Sequence, residues 1–223
     1  MTVQNGGEPA FCPACGGPAE TAAGGRRRRT VTVLFVDIVG YTGLIEDLDC
    51  EDVRALQRDY FAAVSEVVRA CGGVVEKYVG DAVLAVFGAH HRPGRPAARA
   101  VEAGLSVQQA LRGRLLAGRF TVATRVGIAT GEAIVDCAAA HDGGQAMLSG
   151  KVVSTAARLQ TYAPHGTVVV CAATRRLTED AIDYQDLPPA AVTGRREPLE
   201  LWRALHTPSR DAAAPRMLLE AAH

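Results

Sequence analysis

The feature that most constrains the fold is a continuous apolar run, TVTVLFVD (30 to 37), that ends at a carboxylate. Its β-branched residues predict a strand that is buried on both faces. Such a strand lies in the middle of a sheet, with other elements packed on each side. It places Asp37 at its end, and Gly40 allows a turn just beyond it whose N–H groups can face an anion.

The next segment predicts a helix and then a hairpin. Apolar residues at helical spacing favour an amphipathic helix over 50 to 71, with Asp49 and Asp52 at its N-terminal cap. The run from 74 to 88 predicts two short strands joined at Gly80-Asp81, a pair suited to a tight turn. A second carboxylate, that of Asp81, therefore lies at a hairpin tip.

The second half of the chain continues to alternate between helical and extended patterns. In chain order, the sequence predicts an alanine-rich helix over 96 to 112, a hairpin over 120 to 137 that turns near Thr130-Gly131, a helix from 151, a strand at 166 to 171 and a last strand at 198 to 205. Helices that interleave with strands in this way indicate an α/β or α+β layer fold.

Length and composition favour one domain with a tail at each end. The chain has 223 residues, of which 48% are apolar, so we predict a domain over 30 to 205, a flexible N-terminal tail over 1 to 29 and a mobile C-terminal tail over 206 to 223. The 24 basic and 24 acidic residues balance, so neither nucleic acid nor a membrane is an expected partner. No apolar stretch suits a membrane span or a secretion signal, which predicts a cytoplasmic protein.

Of the six cysteines, only Cys12 and Cys15 show motif spacing. Their C-x₂-C pair resembles half of a zinc ribbon, but a structural zinc site needs four ligands and no second pair occurs. We therefore do not expect zinc at this knuckle. The other cysteines are scattered and are expected to be reduced thiols.

The stretch MLSGKVVSTAARLQ (147 to 160) has some features of a phosphate-binding loop. It fails as a P-loop because Val152 follows Gly150-Lys151 and Gln145 stands where the first glycine belongs. It predicts instead a helix with a polar stripe formed by Lys151, Ser154, Thr155, Arg158 and Tyr162.

Asp37 and Asp81 are the strongest candidates for chemistry. Carboxylates at the ends of neighbouring strands can hold one or two Mg²⁺ or Mn²⁺ ions, because hard cations prefer oxygen ligands and bridge nucleotide phosphates. The alternative is structural, with Asp37 capping a strand end and Asp81 serving as a turn residue. Each residue taken alone leaves both interpretations open.

Five motifs carry a resemblance to a known family. They are VTVLFVDIVGYT, EKYVGDAVLAVFG, RVGIATGE, GKVVSTAARLQ and TGRREPLELW, in this order over roughly 30 to 205. Together they resemble the catalytic domain of the class III nucleotidyl (adenylyl/guanylyl) cyclases. The resemblance implies an α+β fold with a ferredoxin-like βαββαβ core, added strands and helices, and an antiparallel-rich sheet flanked by helices. It also implies a head-to-tail homodimer with its active sites at the subunit interface.

The resemblance also implies roles for individual residues. Asp37, Asp81 and the main-chain carbonyl of Ile38 would bind two Mg²⁺ or Mn²⁺ ions per active site. The turn after Asp37, with Gly40, Tyr41 and Thr42, would cradle the triphosphate.

Two further positions match residues that contact substrate in the family. Lys77 matches the lysine that recognises adenine in adenylyl cyclases. Arg158 matches the arginine that stabilises the transition state from the opposite chain. In that reaction the ribose 3′-hydroxyl attacks the α-phosphorus and expels pyrophosphate, and a guanidinium matches the charge and shape of phosphoryl oxygens.

Other positions depart from the family pattern. Ser154 stands where an asparagine usually orients the ribose, and its hydroxyl is shorter and offers one donor. Met147 occupies the position of an acceptor for the adenine amino group, and a thioether accepts only weakly. Thr193 replaces a common lysine, although Arg195 and Arg196 lie close enough to supply a phosphate partner.

We therefore predict a metal-dependent nucleotidyl cyclase that converts ATP to 3′,5′-cyclic AMP and pyrophosphate at a homodimer interface. The alternatives are a non-catalytic or weakly active cyclase-fold module that binds a nucleotide or a partner, and a cyclase with a different base preference. A diguanylate cyclase does not fit, since the chain has no Gly-Gly-Asp/Glu-Glu-Phe stretch.

Overall fold

The computed structural model describes residues 26–89, 94–136, 148–190 and 198–205. Its helices and strands, in chain order, are β1 (Arg26–Ile38), α1 (Tyr41–Ile45), α2 (Cys50–Ala70), β2 (Val74–Val79), β3 (Ala82–Phe87), α3 (Pro96–Leu111), β4 (Thr124–Asp136), β5 (Leu148–Ser149), α4 (Lys151–Tyr162), β6 (Val168–Val170), α5 (Ala172–Arg176), β7 (Tyr184–Ala190) and β8 (Leu199–Ala204). None of the helices in these ranges combines the length and apolar character that crossing a membrane requires.

The strands form one mostly antiparallel sheet. Their order is β2-β3-β1-β4-β6-β8-β7, with β5 paired to β4, and the β4–β6 pair is parallel. The part β2-β3-β1-β4, with α2 and α3 as its two crossovers, is a ferredoxin-like βαββαβ core. Strands β6, β8 and β7 extend the sheet beyond β4. The predicted α+β fold class is therefore confirmed.

β1 is a central strand buried on both faces, as predicted. Its alternate side chains enter two apolar clusters. Leu34 and Val36 pack with α2 and α3 on one face, Val31 and Val33 pack with α4 on the other, and all four are 0% exposed. Since β3 and β4 flank β1 in the sheet and helices cover both of its faces, the end of β1 that carries Asp37 has a fixed position.

The helix and hairpin predicted after β1 are also confirmed. α2 begins at Cys50, where the Asp49 carboxylate accepts a hydrogen bond from the N–H of Asp52 at 2.8 Å. β2 and β3 form the hairpin, and Gly80 in its turn has a φ of 63°, in the left-handed region that favours glycine. Because β3 is the neighbour of β1, this turn lies near the end of β1.

β1 begins earlier than the sequence indicates. It starts at Arg26 instead of near Thr30, and its first residues pair with the end of β4. Arg26 contacts Asp136 at 3.1 Å and Arg28 contacts Glu132 at 3.5 Å. An arginine run has the composition of a linker, but backbone pairing with a long neighbouring strand keeps it extended while most of its side chains remain exposed.

The hairpin predicted over 120 to 137 is wrong. β4 runs without a turn over Thr124–Asp136 and pairs with β1 along its whole length. Gly131 lies within this ladder, and a Cβ added to it would lie 3.4 Å from Val152 Cβ on α4. Glycine here provides room for helix packing and does not form a turn, a distinction that local sequence does not show.

α5 and β7 do not follow from the local sequence pattern. β7 contains Pro188 and Pro189, which argue against a strand because proline cannot donate to a ladder. Here β7 is the last strand in the sheet order, and its pairing with β8 shifts register between Leu187 and Ala190, where the prolines lie. Edge strands and bulges tolerate proline, so β7 can form despite its two prolines.

Candidate active site

Asp37 and Asp81 meet at one corner of the sheet, and we call Asp37, Ile38 and Asp81 the carboxylate corner. Asp37 is the penultimate residue of β1, and Asp81 lies in the turn between β2 and β3. The main-chain N–H of Ile38 donates a hydrogen bond to Asp81 Oδ2 at 3.0 Å. The two carboxylates therefore converge, which a joint chemical role requires.

The environment of Asp37 disfavours its charged form. Its side chain is 20% exposed. Burial raises the pKa of Asp37 to about 6, and hydrogen bonding and charge repulsion by Asp81 contribute to the rise. The Arg125 guanidinium and the Gln160 amide lower the pKa but do not cancel the rise. Positive charge placed between the two carboxylates would relieve their repulsion, so the corner favours a bound cation.

The donor set of the corner suits a hard divalent cation. Asp37 and Asp81 supply carboxylate oxygens, and the main chain of Ile38 supplies a carbonyl oxygen next to Asp37. The Ile38 side chain is buried in the core. Within the described ranges, no group of three or more His, Cys, Asp or Glu side chains is placed to hold a metal ion. A cation at this corner would therefore complete its coordination with phosphate or water oxygens.

Two residues that the sequence analysis missed contact Asp37. Gln160 on α4 donates from Nε2 to Asp37 Oδ2 at 2.8 Å, and Arg125 on β4 has a guanidinium nitrogen 3.7 Å from the same oxygen. Gln160 follows the buried Ala156 by four residues, so a polar residue on the apolar face of the predicted helix was a usable signal. Arg125 lies directly opposite Asp37 in the β1–β4 ladder, a pairing that the wrong hairpin prediction concealed.

The turn after Asp37 can meet an anion. Gly40 has a φ of 68° and precedes the short helix α1, whose first turn contains Tyr41 and Thr42. N–H groups in the first turn of a helix have no acceptor within it, so they are available to phosphate oxygens. Tyr41 packs against the core and Thr42 is exposed. The three residues that the sequence predicts for triphosphate binding thus follow the carboxylate corner directly.

Lys77 lies on β2, four residues before Asp81. Its ammonium is 3.7 Å from Glu76 Oε1, and the Glu76 side chain is only 1% exposed. The same oxygen accepts a hydrogen bond from the N–H of Leu148 at 3.4 Å. Glu76 therefore joins the strand that carries Lys77 to β5, which follows position 147. Met147 itself lies outside the described residues.

Ser154 and Arg158 lie on α4, as the predicted helix requires. Ser154 is exposed, and its hydroxyl donates to the carbonyl of Lys151 at 3.3 Å. Arg158 is half-buried, and its guanidinium makes no ion pair or hydrogen bond with any described residue, those of the carboxylate corner included. Five other positions discussed above also lie outside the described residues: Thr193, Arg195, Arg196, Cys12 and Cys15.

Sequence comparison relates the chain to cyclases. The profile of the adenylate and guanylate cyclase catalytic domain matches residues 25–204. Adenylate cyclase 1 of Rhizobium meliloti (strain 1021) is 32% identical over 205 residues, which cover 86% of this chain and 31% of that protein. The chain spans between 18% and 31% of the length of this relative and of two others that it matches.

Solved structures agree with the sequence comparison. The adenylyl cyclase CyaB from P. aeruginosa has a TM-score of 0.71 at 26% identity, with 83% of this chain and 98% of that chain covered. The guanylyl cyclase Cya2 has a TM-score of 0.70 at 26% identity, with 84% of this chain and 98% of that chain covered. With the matched profile extending from the start of β1 to the end of β8, the chain belongs to the family of adenylate and guanylate cyclase catalytic domains.

Proposed function

We propose that this domain is a metal-dependent adenylate cyclase, which converts ATP to 3′,5′-cyclic AMP and pyrophosphate at a homodimer interface. The observation that supports this most is the convergence of Asp37 and Asp81 beside the turn at Gly40. A carboxylate pair next to a turn with available N–H groups fits a metal-bound triphosphate. Among reactions of such a nucleotide, family membership favours cyclisation.

The residues of the corner and the turn would bind and orient the nucleotide. The reaction joins the ribose 3′-oxygen to the α-phosphorus, so it needs an aligned hydroxyl and compensation for charge on the phosphoryl oxygens. When bound by Asp37, Asp81 and the Ile38 carbonyl, two Mg²⁺ or Mn²⁺ ions would lower the pKa of the hydroxyl and neutralise that charge. The turn that begins at Gly40 would hold the leaving pyrophosphate portion.

Two polar side chains of α4 support catalysis across a subunit interface. Arg158 has no ion pair or hydrogen bond with a described residue, and Ser154 is exposed, so both can contact a nucleotide held by a second copy of the chain. The guanidinium of Arg158 would stabilise charge in the transition state. Ser154 would contact the ribose. The homodimer is therefore the proposed active form.

Lys77 supports ATP as the substrate. An ammonium donates hydrogen bonds, which suits adenine N1 because that atom is an acceptor, whereas N1 of guanine carries a hydrogen. The buried Glu76 beside Lys77 would help to orient the ammonium. However, the relatives include an adenylyl and a guanylyl cyclase, and Met147 is only a weak acceptor. Base preference is therefore what the experiment must decide.

The second candidate function is a non-catalytic or weakly active cyclase-fold module that binds a nucleotide, or a cyclase with another base preference. Ser154, Met147 and Thr193 favour it, because each replaces a side chain that contacts substrate in the family, although Arg195 offers a phosphate partner. The retained carboxylate corner and Arg158 favour the enzyme, because these groups act on the charge that develops in the transition state.

Product identification tests the proposal. The purified chain is incubated with Mn²⁺ or Mg²⁺ and each of ATP, GTP, CTP and UTP, and the products are identified by mass spectrometry. We expect 3′,5′-cyclic AMP and pyrophosphate as the main products, and their loss in Asp81→Asn, which keeps the size of the side chain and removes its charge. A cyclic product of another nucleotide would correct the substrate. Nucleotide bound without any cyclic product would establish the binding module.

A further inference from the structure

Gln160 is a buried amide on the same helix as Arg158. Its residue surface is 8% exposed, and its Nε2 donates to Asp37 Oδ2 at 2.8 Å. Hydrogen bonds from an amide to a carboxylate are stronger than those between neutral groups, and burial strengthens them further. This contact joins α4 to the carboxylate corner of the same chain.

Close packing of α4 on β4 allows the contact. A Cβ added to Gly127 on β4 would lie 2.2 Å from the main-chain nitrogen of Gln160 and 2.3 Å from the carbonyl oxygen of Ala156. Any side chain at this position would therefore push the helix away from the sheet. Glycine at 127 brings the backbone of Gln160 close enough for its amide to reach Asp37 on the neighbouring strand.

Arg125 holds the same helix and the same carboxylate oxygen. Its guanidinium lies 3.7 Å from Asp37 Oδ2 and donates to the main-chain carbonyl of Thr161 at 3.3 Å. Asp37 and Arg125 project from the face of the sheet that α4 covers, because side chains alternate along a strand and Val33 and Ala129 enter the cluster under α4. Donors from α4 and β4 thus orient the Asp37 carboxylate within one chain.

We propose that Gln160 is a positioning residue for Asp37 of its own chain. Arg158, two residues earlier, belongs under the proposed function to the active site of the partner, and the inference rests on that function for this assignment alone. One helix then serves both active sites of the dimer: Arg158 reaches one nucleotide, and Gln160 orients a cation ligand of the other. The Gln160 amide preorganises the carboxylate and so strengthens cation binding.

Mn²⁺ binding without nucleotide tests this role. Gln160→Met keeps most of the side-chain volume and removes the donor, so we expect Mn²⁺ affinity, measured by electron paramagnetic resonance titration, to fall about 10-fold. If Gln160→Met does not fold, Gln160→Asn, whose amide is one methylene shorter, takes its place with the same expected loss. Unchanged Mn²⁺ affinity in the folded variant would overturn the inference.

Gln108 provides a matched control. Its amide donates to the main-chain carbonyls of Thr124 and Thr167, each at 3.2 Å, and it does not contact the carboxylate corner. Gln108→Met should therefore lower the melting temperature and leave Mn²⁺ affinity unchanged. Equal losses of Mn²⁺ affinity in Gln108→Met and Gln160→Met would show a general structural effect and contradict the positioning role.

A heterodimer separates an effect on Asp37 from an effect on Arg158. A chain with Asp37→Ala is paired, through two affinity tags, with a chain with Arg158→Ala, so that one intact site remains. Gln160→Met is then added to either chain. Cyclase activity should fall about 10-fold when the substitution is on the chain that supplies Asp37. The loss of activity should be at least fivefold smaller when the substitution is on the chain that supplies Arg158.

The two placements also distinguish the inference from the proposed function. Equal losses would show that Gln160 shapes α4 as a whole, which overturns the positioning role. A heterodimer with no activity would contradict catalysis at the interface, and the Mn²⁺ titration would then decide the role of Gln160 by itself.

Discussion

The carboxylate corner and the polar stripe of α4 (Lys151, Ser154, Thr155, Arg158 and Tyr162) differ in the contacts that their key side chains make within one chain. At the corner, Asp81 accepts from Ile38, and Asp37 is held by Gln160 and Arg125. On the stripe, the Arg158 guanidinium has no such partner among the described residues. A guanidinium that was already paired would have to give up that pair before it bound a phosphate. This difference fits the proposed dimer, in which the corner of one chain would face the stripe of another.

Removing either half should have the largest effect. Asp37→Ala breaks the corner and Arg158→Ala breaks the stripe, and each should lower cyclic nucleotide formation by on the order of 100-fold or more. Equimolar mixing of the two variants should restore roughly a quarter of wild-type activity, because half of randomly paired dimers are mixed and each holds one intact site.

The control for this mixture is an arginine outside both regions. Arg119 pairs with Asp52 at 2.9 Å and packs over Phe120, so Arg119→Ala should keep wild-type activity. A mixture as inactive as the single variants would show that one chain builds a whole site, and the comparison between the corner and the stripe would then fail.

Two glycines of β4 test how α4 is held between the corner and the stripe. Gly127→Ala places a Cβ 2.2 Å from the main-chain nitrogen of Gln160, so the free energy of unfolding should fall by about 2–4 kcal/mol. Gly131→Ala places a Cβ 3.4 Å from the Val152 side chain, an ordinary contact, and should cost less than about 1 kcal/mol.

Urea unfolding of both variants measures the difference. A larger loss for Gly131→Ala than for Gly127→Ala would contradict the continuous β4 strand and would favour a turn at that glycine. Gly127→Ala should also weaken Mn²⁺ binding, because it displaces Gln160 from Asp37.

These glycines also show what the sequence could and could not predict. β1, α2 and the β2–β3 hairpin follow from local apolar spacing and turn residues, so Asp37 and Asp81 could be placed at neighbouring strand ends. The continuity of β4 could not be predicted, because Gly131 has the local pattern of a turn. Its actual role depends on α4, which follows later in the chain. Gln160 escaped for the same reason, since its partner Asp37 is 123 positions away.

The charge of the corner should produce a moderate effect on stability. Burial and the proximity of Asp81 raise the pKa of Asp37 from 3.8 to about 6, so folding favours its protonated form. The metal-free wild type therefore loses stability as the pH rises from about 4 to about 6, and the loss persists at neutral pH. Asp37→Asn resembles the neutral form and should be more stable at pH 7.5 by roughly 1–2 kcal/mol, after allowance for solvent screening.

Urea unfolding in EDTA at pH 5 and pH 7.5 checks this sign. The advantage of Asp37→Asn over wild type should widen as the pH rises, although the variant should lose cyclase activity. Asp47 is exposed, so Asp47→Asn should follow wild type at both values. An advantage that narrows with rising pH would show that the corner does not disfavour the charge of Asp37.

Ser154 should give the smallest effect, and it sharpens the comparison from the side of the stripe. Its hydroxyl donates back to the carbonyl of Lys151 at 3.3 Å, so its one donor is directed to its own helix. An asparagine amide is longer and has two donors, so Ser154→Asn should orient the ribose better and raise kcat by roughly 2- to 5-fold with Mn²⁺ affinity unchanged.

The Thr155 hydroxyl donates to the same carbonyl at 3.0 Å, which makes Thr155→Asn the matched control without an expected gain. In the heterodimer with one intact site, the gain should follow the chain that supplies Arg158. A gain that follows the chain supplying Asp37 would show that the ribose contacts α4 of the chain that binds the metal, which contradicts the proposed arrangement.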